Sequence, residues 1–373
     1  MAPPLVTVGS GAAARRLLWL SDLAPAPGRA GITGDRARAD TTLRRLRAGE
    51  ALLYQGDYRN ARQLLSALGR RLEPRPGTLP PAEAFRRERA RRAEAQAVLL
   101  RLLVPVGPGW RIALARAPDL SAALSEALGP PPEGEGLLPL REVLGVAGAH
   151  EWRRKGVPVP ALGAAVHPHH GVFAPVRGEY VGLVARALEA RDLAGRTAFD
   201  VGTGTGVLAF LAARRGARVI ATDDEPRAVA CARDNATRLG LADRVEAREA
   251  DLFPEGRADL VLCNPPWLPA EPHGPLDRAV YDPASRFLLG FLRGLPAHLA
   301  PGGEALLVLS DLAERLGLRP PDFLATEAGA AGLSLEVMER TVPSHPRARD
   351  AEDPLAEARG AEVTALYRLR VKG

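Results

Sequence analysis

Seven residues constrain this chain more than any others: Asp200-Val-Gly-Thr-Gly-Thr-Gly206, set between the short apolar run TAFDV and the helical pattern VLAFLAARRG. Glycines alternating with small residues at a strand-to-helix junction allow a tight turn and let a ligand approach the backbone closely. From there the chain alternates regularly. ARVIAT reads as a strand, PRAVACARDNATRLG as a helix, RVEAREA and ADLVLCN as strands, YDPASRFLLGFLRGLPAHL as a helix and EALLVLS as a strand. LSLEVMERTV and EVTALYRLRV close the chain as two more strands. This pattern predicts an α/β fold, a Rossmann-like, seven-stranded doubly wound sheet with its ligands outside the carboxyl ends of the strands.

The 373 residues are too many for one ordinary domain and suit two. The expected division is residues 1–150, a mainly helical and basic domain, and residues 151–373, the ligand-binding domain. In the first, TTLRRLRAGEALLYQGDYRNARQLLSALGRRLE reads as two helices joined by a turn at Gly56-Asp57, and RRERARRAEAQAVLLRLL as a further helix. GDYRNA is similar to part of a tetratricopeptide repeat, but no second copy follows at a fixed period. GPPPEGEG, residues 129–136, is expected to be a loop or linker, with a second Pro-rich passage at 157–168.

The formal charge of +6 hides an asymmetry: residues 1–160 carry +10 and residues 161–373 carry −4. A basic first half suits contact with a polyanion such as RNA or DNA. Hydrophobic and charged fractions of 46% and 25% are those of a globular chain, and no run approaches the length of a membrane helix. Arg15 and Arg16 precede the first apolar run, so no signal peptide is expected. Cys231 and Cys263 alone give no disulfide framework, and a cytoplasmic setting is the expectation.

The glycine spacing is G-x-G-x-G; a dinucleotide loop would need its third glycine at Val207. The loop resembles the first motif of class I S-adenosylmethionine-dependent methyltransferases. That resemblance implies that Asp200, Gly202, Thr203, Gly204, Thr205 and Gly206 face the methionine portion of the cofactor. Asp223, at the end of the second strand and about 20 residues on, stands where a carboxylate meets a ribose hydroxyl pair, with Asp224 next door as the alternative. Ala250-Asp251-Leu252-Phe253 follows the third strand. By resemblance Asp251 accepts from the adenine amino group and Leu252 covers the ring.

Asn264-Pro265-Pro266-Trp267 ends the fourth strand and is similar to the N-P-P-[Y/F/W] motif of methyltransferases acting on exocyclic or amide nitrogens. A conjugated NH2 has a delocalised lone pair and is a poor nucleophile. The Asn264 side-chain oxygen and the Pro265 carbonyl can accept its two N–H groups and favour a more tetrahedral nitrogen. Pro265 and Pro266 stiffen the loop, and Trp267 supplies a flat face on which a planar group stacks. Asn264 also lies beside the cofactor. Upstream, His169-His-Gly-Val-Phe173-Ala-Pro-Val-Arg177-Gly-Glu-Tyr180 resembles the segment that closes over the cofactor, with Phe173 and Arg177 as the implied contacts. His167, His169 and His170 lack companion ligands at metal spacing, so no metal is expected. SHPRARDAEDP, residues 344–354, reads as a polar loop.

The resemblance covers roughly residues 165–373 and is specific for fold and cofactor, not for substrate. The leading expectation is N-methylation of a nucleic-acid base, ribosomal or transfer RNA before DNA, held through the basic first half. The alternatives are methylation of a protein glutamine on a release factor or ribosomal protein, and a non-catalytic S-adenosylmethionine-binding assembly factor. The first 150 residues exceed the helical bundle that precedes the catalytic domain in release-factor glutamine methyltransferases. The sequence does not fix the oligomeric state.

Overall fold

The computed structural model describes residues 3–73, 79–176, 178–342 and 355–373. They form two compact units divided between Glu151 and Trp152, with residues 79–85 belonging to the second.

The first unit is built on strands β1 (Leu5–Val8), β2 (Arg15–Trp19), β3 (Arg29–Gly34), β4 (Ala51–Gln55), β5 (Leu102–Gly107), β6 (Arg111–Ile112) and β7 (Gly136–Pro139). They lie in the order β4-β3-β1-β2-β7-β5-β6, and a further β4–β5 pairing closes the sheet on itself. The accompanying helices are α1 (Ala39–Arg47), α2 (Tyr58–Leu72), α3 (Pro81–Leu99), α4 (Ser121–Leu128) and α5 (Leu140–Lys155).

The helices hold more residues than the strands, but the sheet is absent from the sequence reading. The supposed helix pair is helix, strand, helix. Gly49 takes a left-handed φ of 91° and stops α1, after which Ala51, Leu52, Leu53 and Tyr54 are all buried. A strand buried on both faces has no alternation to betray it. The same masking ends α3 at Leu99 and turns LLVPVG into β5.

The second unit opens with a hairpin, β8 (Val157–Val159) and β9 (Ala164–Val166), formed by the second Pro-rich passage. Its main sheet comprises β10 (Thr197–Val201), β11 (Arg218–Asp223), β12 (Val245–Glu249), β13 (Ala258–Cys263), β14 (Leu299–Ser310), β15 (Leu333–Thr341) and β16 (Thr364–Val371). The order is β12-β11-β10-β13-β14-β16-β15, with β16 antiparallel to both neighbours and the pairs from β12 to β14 parallel. The helices are α6 (Glu179–Glu189), α7 (Val207–Arg214), α8 (Pro226–Arg238), α9 (Arg286–His298), α10 (Leu312–Arg315), α11 (Phe323–Ala330) and α12 (Ala356–Gly360).

Side chains of a strand alternate between faces, and here both faces are apolar. Ala198, Leu260, Leu262 and Leu306 pack with α6, α7 and α8. Phe199, Val261, Cys263 and Leu307 pack with α9 and α11. The expected doubly wound α/β sheet is what these two cores produce. Leu262 and Phe291 are fully buried, and burying such a side chain contributes roughly 1.5–3 kcal/mol. Among the described residues no helix is long and apolar enough to cross a membrane, and both cysteines are buried as free thiols. Residues 344–354 lie outside the described residues.

Candidate active site

The carboxyl ends of β10, β11 and β13 place the motifs side by side. Val201 pairs with Thr222 on one side and with Cys263 on the other. Gly202 and Asn264 are therefore the next residues on adjacent strands, which run about 4.8 Å apart.

The loop Gly202–Gly206 is held from behind. Gly202 and Thr203 both donate their amides to the Thr222 carbonyl at 2.9 Å. Asp200, 1% exposed, accepts from the Thr203 hydroxyl at 2.6 Å and from the Ala209 amide at 3.0 Å. Its carboxylate thus meets the amino end of α7, while burial, with the Asp223 charge as a lesser cause, pushes its pKa up to about 6. Thr203 and Thr205 are buried, so the hydroxyl of Thr203 is spent inside the loop.

Gly202, Gly204 and Gly206 have φ of 74°, 54° and 90°, a region open to glycine. Their surroundings differ. A Cβ on Gly202 would lie 2.9 Å from the Phe287 ring and one on Gly206 2.3 Å from the Phe210 ring, whereas one on Gly204 would meet nothing within 4 Å among the described residues. The open side of the loop is at Gly204.

Asp223 turns toward that side. It accepts from the Gly204 amide and the Glu225 amide, each at 3.0 Å, and burial raises its pKa. Asp224 is instead an exposed partner of Arg278, at 2.5 Å. Of the two adjacent carboxylates, Asp223 is the one bonded to the loop. Asp251 is exposed. Leu252 has φ 67°, its carbonyl accepts the Thr222 hydroxyl, and its side chain lies 2.7 Å from where Gly290 would carry a Cβ. Gly290 and Gly294 thus let Leu252 and Phe253 close onto α9.

In the Asn-Pro-Pro-Trp loop, the Trp267 indole N–H donates to Asn264 Oδ1 at 3.0 Å. Trp267 is half-buried against both cores of the sheet. The loop is pinned beyond it: Leu268 donates to the Val280 carbonyl and accepts from Asp282. Asp282 in turn caps α9 by accepting from the Phe287 and Leu288 amides at 2.9 and 3.1 Å. Since Phe287 lies against Gly202, α9 ties the two loops together.

Phe173 is exposed on the segment before α6. Arg177 lies outside the described residues. His167 Nδ1 lies 2.6 Å from the Arg153 carbonyl, and His169 Nε2 lies 3.0 Å from Asp234.

Three positions escaped the sequence reading. Asn235, fully buried on α8, accepts from the His167 amide and donates to the Thr205 carbonyl at 3.1 Å, fastening the glycine loop to the preceding segment. Arg278 bridges Asp224 and Glu225. Arg319 is buried, donates through Nε to Ser285, and leaves Nη1 and Nη2 without hydrogen-bond partners among the described residues. Their roles arise through space and leave no local signal in the sequence.

A family model described as ribosomal protein L11 methyltransferase (PrmA) matches residues 182–265, which span the glycine loop and end inside Asn264-Pro265. A release factor glutamine methyltransferase of Cereibacter sphaeroides is 43% identical over 147 residues, covering 35% of this chain and 51% of that protein. Over the matched residues the second unit is similar to class I S-adenosylmethionine-dependent methyltransferases. A ribosomal protein L11 methyltransferase of Pelotomaculum thermopropionicum is 49% identical to the chain over 85 residues, 22% of this chain and 28% of that protein. The chain thus spans about half, or less, of the length of these curated relatives. Among solved structures, ribosomal protein L11 methylase from Lactobacillus delbrueckii subsp. bulgaricus aligns with a TM-score of 0.37 at 19% identity, over 54% of this chain and 82% of that one.

Proposed function

We propose that the chain is an S-adenosylmethionine-dependent N-methyltransferase acting on the side-chain amide of a protein glutamine. The observation that supports it most is the position of Asn264 and Pro265, one residue past the strand pair Val201–Cys263 and beside the open face of the glycine loop. S-adenosylmethionine supplies a methyl group on a positively charged sulfur.

The residues fit that cofactor. The space above Gly204 admits a ligand at the backbone, and Asp223 beside it is an acceptor suited to ribose hydroxyls. The chain's own part in the chemistry is positional. Asn264 Oδ1 and the Pro265 carbonyl accept the two amide N–H groups and aim the nitrogen at the methyl carbon. Bound there, S-adenosylmethionine would supply the methyl group, while Asn264 and Pro265 would hold the target nitrogen in place and leave one of its N–H protons free to pass to solvent. A sulfonium is a strong electrophile, so no general base is required.

Protein is favoured over nucleic acid because the relatives at 43% and 49% identity are both named for protein substrates. The basic first half, with a net charge of +10 over residues 1–160, suits contact with an acidic partner. Incubating the full chain with labelled S-adenosylmethionine and lysate from cells lacking it tests the reading. Label removed by protease and resistant to ribonuclease is expected; ribonuclease-sensitive label would overturn it in favour of a base.

A further inference from the structure

We propose that Trp267 is a positioning residue whose indole N–H fixes the carboxamide of Asn264 and limits its oxygen to one substrate N–H. The inference rests on the reading of Asn264 as an acceptor for the target nitrogen.

An indole N–H is a donor only, so the bond at 3.0 Å turns Oδ1, not Nδ2, toward Trp267. A carboxamide oxygen has two lone pairs, and one is now used. Among the described residues nothing donates to the Pro265 carbonyl, and Asn264 Nδ2 makes no bond. The loop therefore presents two acceptor oxygens, Asn264 Oδ1 with one lone pair open and the Pro265 carbonyl with both. That number matches the two N–H groups of an NH2. A nitrogen already bearing one methyl has a single N–H and leaves one acceptor empty, which disfavours a second transfer.

The same bond settles which end of the Asn264 amide faces the substrate. Without it the amide can turn over and present Nδ2, so that a donor meets the substrate's donor. Phenylalanine or tyrosine at this position would fill a similar space without an N–H at that point, so the device belongs to the tryptophan. Packing supports it: the ring is wedged between the two cores of the sheet, which leaves it little freedom to move away from Asn264.

Two measurements test this. Trp267→Phe keeps the ring and removes the N–H; kcat for a glutamine peptide is expected to fall about five- to tenfold, the worth of one hydrogen bond, with KM changed less than about twofold. In an Asn264→Asp background both side-chain oxygens accept, turning over has no effect, and Trp267→Phe is expected to cost less than about twofold. Equal losses in both backgrounds would show that Trp267 acts through packing alone and overturn the proposal.

The second measurement needs no substrate. The chain has four tryptophans. The indole N–H of Trp19 donates to the Ala24 carbonyl and that of Trp110 to the Gly129 carbonyl, while Trp152 is exposed. In hydrogen exchange followed by NMR, the Trp267 indole is expected to be protected like those of Trp19 and Trp110. Asn264→Leu should abolish that protection and leave the other two unchanged. Exchange of Trp267 as fast as Trp152 in the wild-type chain would overturn the proposal, even if the natural substrate were not glutamine.

Discussion

Gly204 and Gly206 share a backbone conformation but differ in surroundings, open at the first and packed at the second. Both have positive φ, 54° and 90°, so alanine at either adds backbone strain of about 1–2 kcal/mol. At Gly204 the added methyl meets nothing within 4 Å among the described residues, so strain is the effect expected there and the melting temperature should fall by roughly 2–8 °C for a unit of this size. At Gly206 the methyl would come within 2.3 Å of the Phe210 ring, itself fully buried, and overpacking adds about 1–3 kcal/mol. Gly204→Ala should therefore remain folded but bind S-adenosylmethionine at least about tenfold more weakly, because the methyl stands in the ligand's space. Gly206→Ala should lose stability first. Thermal melts and titration calorimetry on both variants read the two effects. Wild-type affinity in folded Gly204→Ala would refute the assignment of the open side to the cofactor.

Asn264→Ala should leave cofactor affinity unchanged and lower kcat by about 10²- to 10³-fold, as loss of a positioned polar group does; turnover near wild type would remove Asn264 from the mechanism. Asp223→Ala should weaken S-adenosylmethionine by about ten- to a hundredfold, the worth of a hydrogen bond to a charged group, while Asp224→Ala, which breaks only the exposed pair with Arg278, should change it less than about twofold in calorimetry. Glu142 in the first unit is buried, and burial pushes its pKa up to about 7. The folded state holds that proton more tightly than the unfolded chain, so stability falls as pH rises from about 4.5 through 7, by roughly 1–3 kcal/mol. Urea denaturation at both ends of that window should show Glu142→Gln losing part of the decline, with Asp200 retaining its own share; an unchanged decline would contradict the burial argument.

The sheet of the second unit was legible because short apolar strands alternate there with longer helical patterns and the glycine loop marks the first crossover. Its closing strand offered an alternating pattern but no clue that it inserts between β14 and β15. In the first unit the strands were hidden. ALLY and LLVPVG carry no polar alternation, and each adjoins a helix, so their residues extend a helical pattern without a break. At the site, Asn264 to Trp267 and the glycine loop were visible because backbone geometry imposes their spacing. The distinction between Asp223 and Asp224 was not, since it depends on Arg278 more than 50 residues away in the chain. Nor was the buried link from Asn235 to the Thr205 carbonyl, because an asparagine on a helix face looks the same in sequence whether it faces water or a loop.

A bound sulfur is expected between the glycine loop and the acceptor pair at the end of β13. A crystal structure of the full chain with S-adenosylhomocysteine measures this directly. The ribose should lie on Asp223, the ligand over Gly204, and the sulfur should open toward Asn264 Oδ1 and the Pro265 carbonyl. Ligand bound elsewhere, or a sulfur screened from Asn264 by protein atoms, would contradict it.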